Sequence, residues 1–195
     1  MESILSSFHL DIVTFGDLLE ATGGVLAGSA AAAAYMAGTP YTFVPNDLDI
    51  WVHSDIPLED PHATPVRHAY EFLFAQFLRQ HGYAEVLTAH QSDEEYSSSP
   101  VFAILRRIQR FQHPTGRIVQ VMHCRRGFGH VLKTFDLSVA ATWWQPMKGY
   151  REGFLDTVSS HSLKAGRMFS LRPPATEREV ARIEKYKARG FMLDR

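Results

Sequence analysis

A chain of 195 residues, 45% hydrophobic and 21% charged, is long enough to fold as one domain around a substantial core. Its formal net charge of -1 excludes a bulk electrostatic pull toward nucleic acid or membrane, so any such contact must come from a local patch. The single cysteine, Cys124, excludes an internal disulfide and fits a reducing, cytoplasmic compartment.

The segment "MESILSSFHLDIVTF" carries acids and no basic run, so it does not read as a secretory signal. Residues 9–20, "HLDIVTFGDLLE", have the apolar spacing of a helix. "GGVLAG" reads as a short buried strand ending at Gly28. "SAAAAAYMAG" predicts a helix from Ser29 with Gly38 as its stop, and the two segments together are too short and too rich in small residues to span a membrane. A loop with two prolines follows, and then "DLDIWV" alternates. It puts Asp47, Asp49 and Trp51 on one face and Leu48, Ile50 and Val52 on the other. An amphipathic helix is predicted from about Pro65 to Gln80, with Gly82 past its end. "QSDEEYSSSP" reads as a mobile loop.

"VFAILRRIQRFQ" and "RIVQVMHC" read as two strands joined by the turn "HPTG". "FGHVLKT" is a connector or short helix, and "FDLSVAATWW" a further strand with Asp136 and Ser138 opposite Phe135, Leu137 and Val139. After Pro146 the character turns helical. The last helix starts at a T-x-x-E capping box, Thr176 and Glu179, is closed by Gly190, and carries an apolar stripe of Val180, Ile183 and Tyr186. The expectation is an α/β or α+β fold, a mixed β-sheet flanked by helices with a C-terminal helical segment. Residues 1–150 form the core and residues 151–195 a helical extension packed on it.

Two carboxylates at i and i+2 of a strand point the same way, roughly 7 Å apart along the backbone. Uncompensated, each raises the other's pKa. A hard divalent cation removes the conflict: Mg²⁺ takes carboxylate oxygens, waters and substrate phosphates. A third carboxylate on a neighbouring strand would complete a two-metal site, and Asp136 is the candidate. Gly28-Ser29 would supply the other half, since a helix start offers unpaired N–H groups and Gly28 permits close backbone approach. A phosphate cradle beside carboxylate-held metal is the equipment of phosphoryl or nucleotidyl transfer.

"LAGSA" followed by "NDLDIWV" and then "TFDLSV" resembles the nucleotidyltransferase superfamily, the DNA polymerase β-like fold. Gly28 and Ser29 match its glycine-serine pair, Asp47 and Asp49 its metal-binding pair, and Asp136 its third carboxylate. The resemblance covers roughly residues 20 to 145. The tail "RIEKYKARGF" resembles that of small nucleotidyltransferase-like proteins of large DNA viruses and fungi. Two features depart from the superfamily. Seventeen residues, 30 to 46, separate Ser29 from Asp47, where the usual gap is shorter. The chain also lacks the Arg-x-x-Asp element of CCA-adding enzymes and the extra domains of poly(A) polymerases, which argues against those particular activities.

The resemblance implies that Asp47, Asp49 and Asp136 bind Mg²⁺ or Mn²⁺, and that Gly28 and Ser29 grip the phosphates of an NTP such as ATP. A nucleoside monophosphate then passes to a hydroxyl of RNA (tRNA), a protein or a small molecule, with release of pyrophosphate. The alternative is a catalytically silent nucleotide-binding or interaction module on the same fold. Lys133, Arg125 and Arg126 stand near the third carboxylate in sequence, and read equally as phosphate partners or as solvated surface cations. Ten histidines offer no zinc-ligand spacing. Arg178, Arg182, Lys185, Lys187 and Arg189 of the last helix are interspersed with Glu177, Glu179 and Glu184. They read first as a solvated face and second as a track for phosphates.

Overall fold

The computed structural model describes residues 1–53, 64–90, 104–147, 150–156, 160–174 and 176–194. The expected loop at 91–100 and the first residues of "VFAILRRIQRFQ" lie outside the described residues. Two short helices open the chain, α1 (Glu2–Ser7) and α2 (Ile12–Thr22). Asp11 starts α2: its Oδ1 accepts from the amides of Val13 at 3.1 Å and Thr14 at 2.9 Å, which satisfies two of the orphan donors of the first turn. Then come β1 (Val25–Ala27), α3 (Ser29–Tyr35) and β2 (Asp47–His53). Helix α4 (Thr64–Gln80) leads into β3 (Ala84–His90), β4 (Leu105–Gln112) and β5 (Ile118–Cys124). The remainder is α5 (Phe128–Leu132), β6 (Trp143–Met147), β7 (Tyr150–Asp156), α6 (Ser160–Lys164), β8 (Arg167–Phe169), α7 (Glu177–Ala188) and β9 (Met192–Asp194). No helix among the described residues is long and apolar enough to cross a membrane.

Seven strands form one mixed sheet in the order β3-β4-β5-β2-β1-β6-β7. β2 and β5 run parallel, and every other pair in it is antiparallel. The alternation of β2 sorts the interior into two layers, because successive side chains of a strand leave on opposite faces. Leu48, Ile50 and Val52 pack under α1, α2 and α4 with Phe8, Phe15, Phe74 and Leu78. Trp51 joins the other layer, with Met122, Phe135, Ile183 and Tyr186. Asp47 and Asp49 therefore face the layer that α7 closes. Cys124 is a free, buried thiol, pushed up to about 12 by burial.

Two sequence expectations need correction. "FDLSVAATWW" is not one strand: Leu137 makes a single bridge to Ser170, residues 138–141 turn, and β6 begins only at Trp143. Its apparent polar face is buried as well, with Asp136 at 4% exposure and Ser138 and Thr142 at 0%. Its backbone is engaged locally instead, Leu171 N–H donating to the Asp136 carbonyl and Ser138 N–H to that of Phe169. Second, the chain after Pro146 is not simply helical. β6 and β7 form a hairpin that carries the sheet past residue 150, and β8 and β9 make a small parallel pair around α7. The stretch "AEVLTAH", to which the sequence reading assigns no element, is an edge strand, β3, beside β4.

The start of α7 is as expected: Thr176 Oγ1 accepts from Glu179 N–H at 3.2 Å, and Glu179 Oε2 accepts from Thr176 N–H at 3.1 Å. Its buried stripe is shifted, however. Glu179, Ile183 and Tyr186 face inward, while Val180 is 48% exposed.

Candidate active site

A cavity of about 360 Å³ opens between the sheet and α7. Its floor is built by two parallel strands, Asp47, Asp49 and Trp51 from β2 with Gln120 and Met122 from β5. Gly28 and Ser29 stand at one side, where β1 passes into α3. Arg178, Arg182 and Lys185 of α7 form the opposite wall. Their spacing of four and then three residues places them on one helical stripe. Beside the Arg172–Glu179 ion pair, which also lines it, the cavity thus sets two carboxylates of β2 against three cations of α7.

The glycine-serine pair serves the acids directly. Ser29 Oγ donates to Asp47 Oδ1 at 3.1 Å and orients that carboxylate. Gly28 has φ +84°, a conformation that costs any residue with a Cβ, and a Cβ there would sit 3.1 Å from Asp49 Oδ2. Its own N–H donates to the Thr142 carbonyl at 3.0 Å. The unpaired donors expected at this turn are thus partly engaged inside the fold.

Burial first, and the adjacent charge of Asp47 second, push the Asp49 carboxyl up to about 8, against the opposing pull of Arg182, Lys185 and Arg178. Across the cavity, burial and then the neighbouring Arg189 hold the Lys185 ammonium below the usual lysine range, while Asp47 and Asp49 pull it up. Both shifts run toward neutrality, as expected where like charges are gathered in a partly dry site. A hard divalent cation fits this donor set: two carboxylates on one strand face, one of them costly to ionise alone, with space kept by a glycine.

Asp136 is not among the lining residues, although its neighbour Phe135 and its partner Arg182 are. It is buried, and its Oδ1 accepts from Arg182 at 2.6 Å, while Oδ2 has no partner among the described residues. No group of three or more His, Cys, Asp and Glu among the described residues could hold a metal ion, so Asp47, Asp49 and Asp136 do not converge as a triad. Lys133, Arg125 and Arg126 do not line the cavity. Three of the five basic residues of the last helix do, Arg178, Arg182 and Lys185, although their interspersed glutamates suggest a solvated face. One of those glutamates, Glu179, faces inward and pairs with Arg172, another residue of the cavity wall. The informative signal was the i, i+4, i+7 spacing of Arg178, Arg182 and Lys185 beside the buried stripe of the same helix. Trp51 also lines the cavity; at 6% exposure its indole N–H has no acceptor among the described residues.

The sequence matches no family model and no curated protein. The fold is similar to that of solved nucleotidyltransferases. A CCA-adding enzyme solved with CTP matches with a TM-score of 0.57 and 12% identity over 100% of this chain and 43% of its own. A tRNA nucleotidyltransferase complexed with a primer tRNA and an incoming ATP analogue matches with a TM-score of 0.57 and 14% identity, over 92% of this chain and 46% of its own. The Thermotoga maritima CCA-adding enzyme complexed with tRNA gives a TM-score of 0.58 and 13% identity, over 100% and 40%. The chain spans less than half the length of these structures. The likeness shows the nucleotidyltransferase fold.

Proposed function

We propose that this chain is a metal-dependent nucleotidyltransferase, which moves a nucleoside monophosphate from an NTP to an acceptor hydroxyl and releases pyrophosphate. The carrying observation is the opposition of Asp47 and Asp49 to Arg178, Arg182 and Lys185 across one cavity. A polyphosphate carrying a divalent cation satisfies both walls at once: its oxygens meet the cations of α7 and its metal meets the carboxylates.

In this reading Asp47 and Asp49 hold Mg²⁺ or Mn²⁺, which when bound supplies neutralisation of triphosphate charge and a lower pKa for the attacking hydroxyl. Ser29 orients Asp47 through its hydroxyl, and Gly28 leaves Asp49 the space it needs. Arg178, Arg182 and Lys185 hold the β- and γ-phosphates and stabilise the charge that builds on pyrophosphate as it leaves. The acceptor hydroxyl gives up its proton to water and attacks the α-phosphorus opposite the departing pyrophosphate oxygen. Asp136 acts at one remove, by aiming Arg182. The acceptor is a hydroxyl of RNA or of a protein, and tRNA, which two of the similar structures hold, is the first to try.

The test is label transfer. The protein is incubated with each α-labelled NTP, Mg²⁺ or Mn²⁺, and total cellular RNA or a protein extract, beside an Asp47→Asn/Asp49→Asn variant. Label passed on by the wild type alone establishes the enzyme and shows the acceptor class. Metal-dependent NTP binding without transfer would instead mark a silent nucleotide-binding module. Absence of both would refute the reading.

A further inference from the structure

We propose, on the premise that the site binds an NTP as above, that it takes a single divalent cation shared by Asp47 and Asp49, and that Gln120 denies a second ion its place. The register of β2 against β5 carries this. Residues paired across parallel strands leave on the same face, with the strands about 4.8 Å apart. Leu48 pairs with Val119 and Ile50 with Val121, and all four lie in the layer under α1, α2 and α4. Trp51 pairs with Met122 in the opposite layer. Asp49 pairs with Gln120, and both line the cavity.

The position beside Asp49 on β5 is the place on that strand from which a third carboxylate would share an ion with it. The residue there is a neutral amide, 8% exposed, whose Oε1 accepts from Arg110 at 3.4 Å. On the other side of Asp49 the sheet offers only Ala27 of β1, and Asp47 pairs with Ile118. Asp136 is engaged by Arg182. Two ions about 4 Å apart repel strongly unless several carboxylates share them. Two carboxylates balance one divalent ion, so a second would depend on the nucleotide phosphates, which the cations of α7 face. Arg178, Arg182 and Lys185 supply the further positive charge that a second ion would bring. The cavity calls for a ligand on separate ground too: the buried Trp51 N–H, on the same strand face as the acids, lacks an acceptor among the described residues.

The experiment counts ions. Mn²⁺ is titrated into the protein with stoichiometric α,β-methylene-ATP and followed by electron paramagnetic resonance. The wild type is expected to bind one Mn²⁺ per chain with the spectrum of an isolated ion, and Asp49→Asn to lose it. Gln120→Glu, nearly isosteric, is expected to bind two, with the line broadening of a coupled pair. Two ions in the wild type would overturn the proposal while leaving the nucleotidyltransferase reading intact. A Gln120→Glu variant that melts like the wild type yet binds one ion would overturn the role of Gln120. No ion bound by the wild type would remove the nucleotide reading and this inference with it. The wild-type count decides the stoichiometry even if the variant fails to fold.

Discussion

Arg182 on the C-terminal helix reaches Asp136, 46 residues earlier in the chain, with a 2.6 Å contact between guanidinium and carboxylate. The carboxylate is 5% exposed and the guanidinium 32%. The pair anchors α7 over the cavity and fixes one of its three cations. Removing the arginine leaves a buried acid without its partner, a loss of about 2–4 kcal/mol given the partial exposure of the arginine. Arg182→Ala should therefore lower the urea midpoint sharply and weaken NTP binding, and Asp136→Asn in the same chain should restore part of the stability but none of the binding. A double-mutant cycle on the unfolding free energy checks the first claim and nucleotide titration the second.

Asp49 makes stability fall as pH rises. Its carboxyl titrates near 8 in the folded chain, well above the usual carboxylate range. Between about pH 4 and about pH 8 the unfolded chain has released this proton while the folded chain still holds it, so deprotonation favours unfolding across that window. Urea midpoints at pH 5 and pH 8 should show the drop, and Asp49→Asn should remove most of it. Saturating Mn²⁺ with nucleotide should flatten the wild-type profile, because a bound cation favours the charged carboxylate. An unchanged midpoint over this range would refute the assignment.

The strands that carry the acids were legible because β2 has two unlike faces, Leu48, Ile50 and Val52 against Asp47, Asp49 and Trp51, and alternation reports such a strand directly. The capping box of α7 was legible because its four residues are local. Residues 135–142 misled because they alternate without having two environments, both sides being buried. Asp136 was accordingly expected on a neighbouring strand, a position that the register gives to Gln120. Strand pairing is a long-range fact that no local pattern carries. The cationic wall was hidden for a related reason, since whether a charged stripe faces water or a cavity depends on what lies opposite it.

Gly28→Ala tests how closely the backbone must approach the acids. The substitution forces a residue with a Cβ into φ +84° and sets that carbon 3.1 Å from Asp49 Oδ2. With ψ at -147° this is a backbone region nearly exclusive to glycine, so strain of about 1–3 kcal/mol is expected from the backbone alone. The larger consequence is that the Asp49 carboxylate must give way, so label transfer should drop at least tenfold while circular dichroism stays native. Asp49→Asn should add little further loss in that background if the two act through one group.

Thr176 joins the folding of α7 to the chemistry of its cavity-facing stripe. Its hydroxyl and amide both exchange hydrogen bonds with Glu179, which also pairs with Arg172. Thr176→Ala removes one bond of the capping box and should cost about 1 kcal/mol, a cost that Thr176→Ser should largely avoid. Arg178 lies in the first turn that this cap secures, whereas Lys185 lies two turns further along. Fraying therefore loosens Arg178 first. The nucleotide KM should rise severalfold in Thr176→Ala with a smaller fall in kcat, and Thr176→Ser should restore both. A fall in kcat at constant KM would instead mean that the start of α7 contacts the reacting atoms only in the transition state.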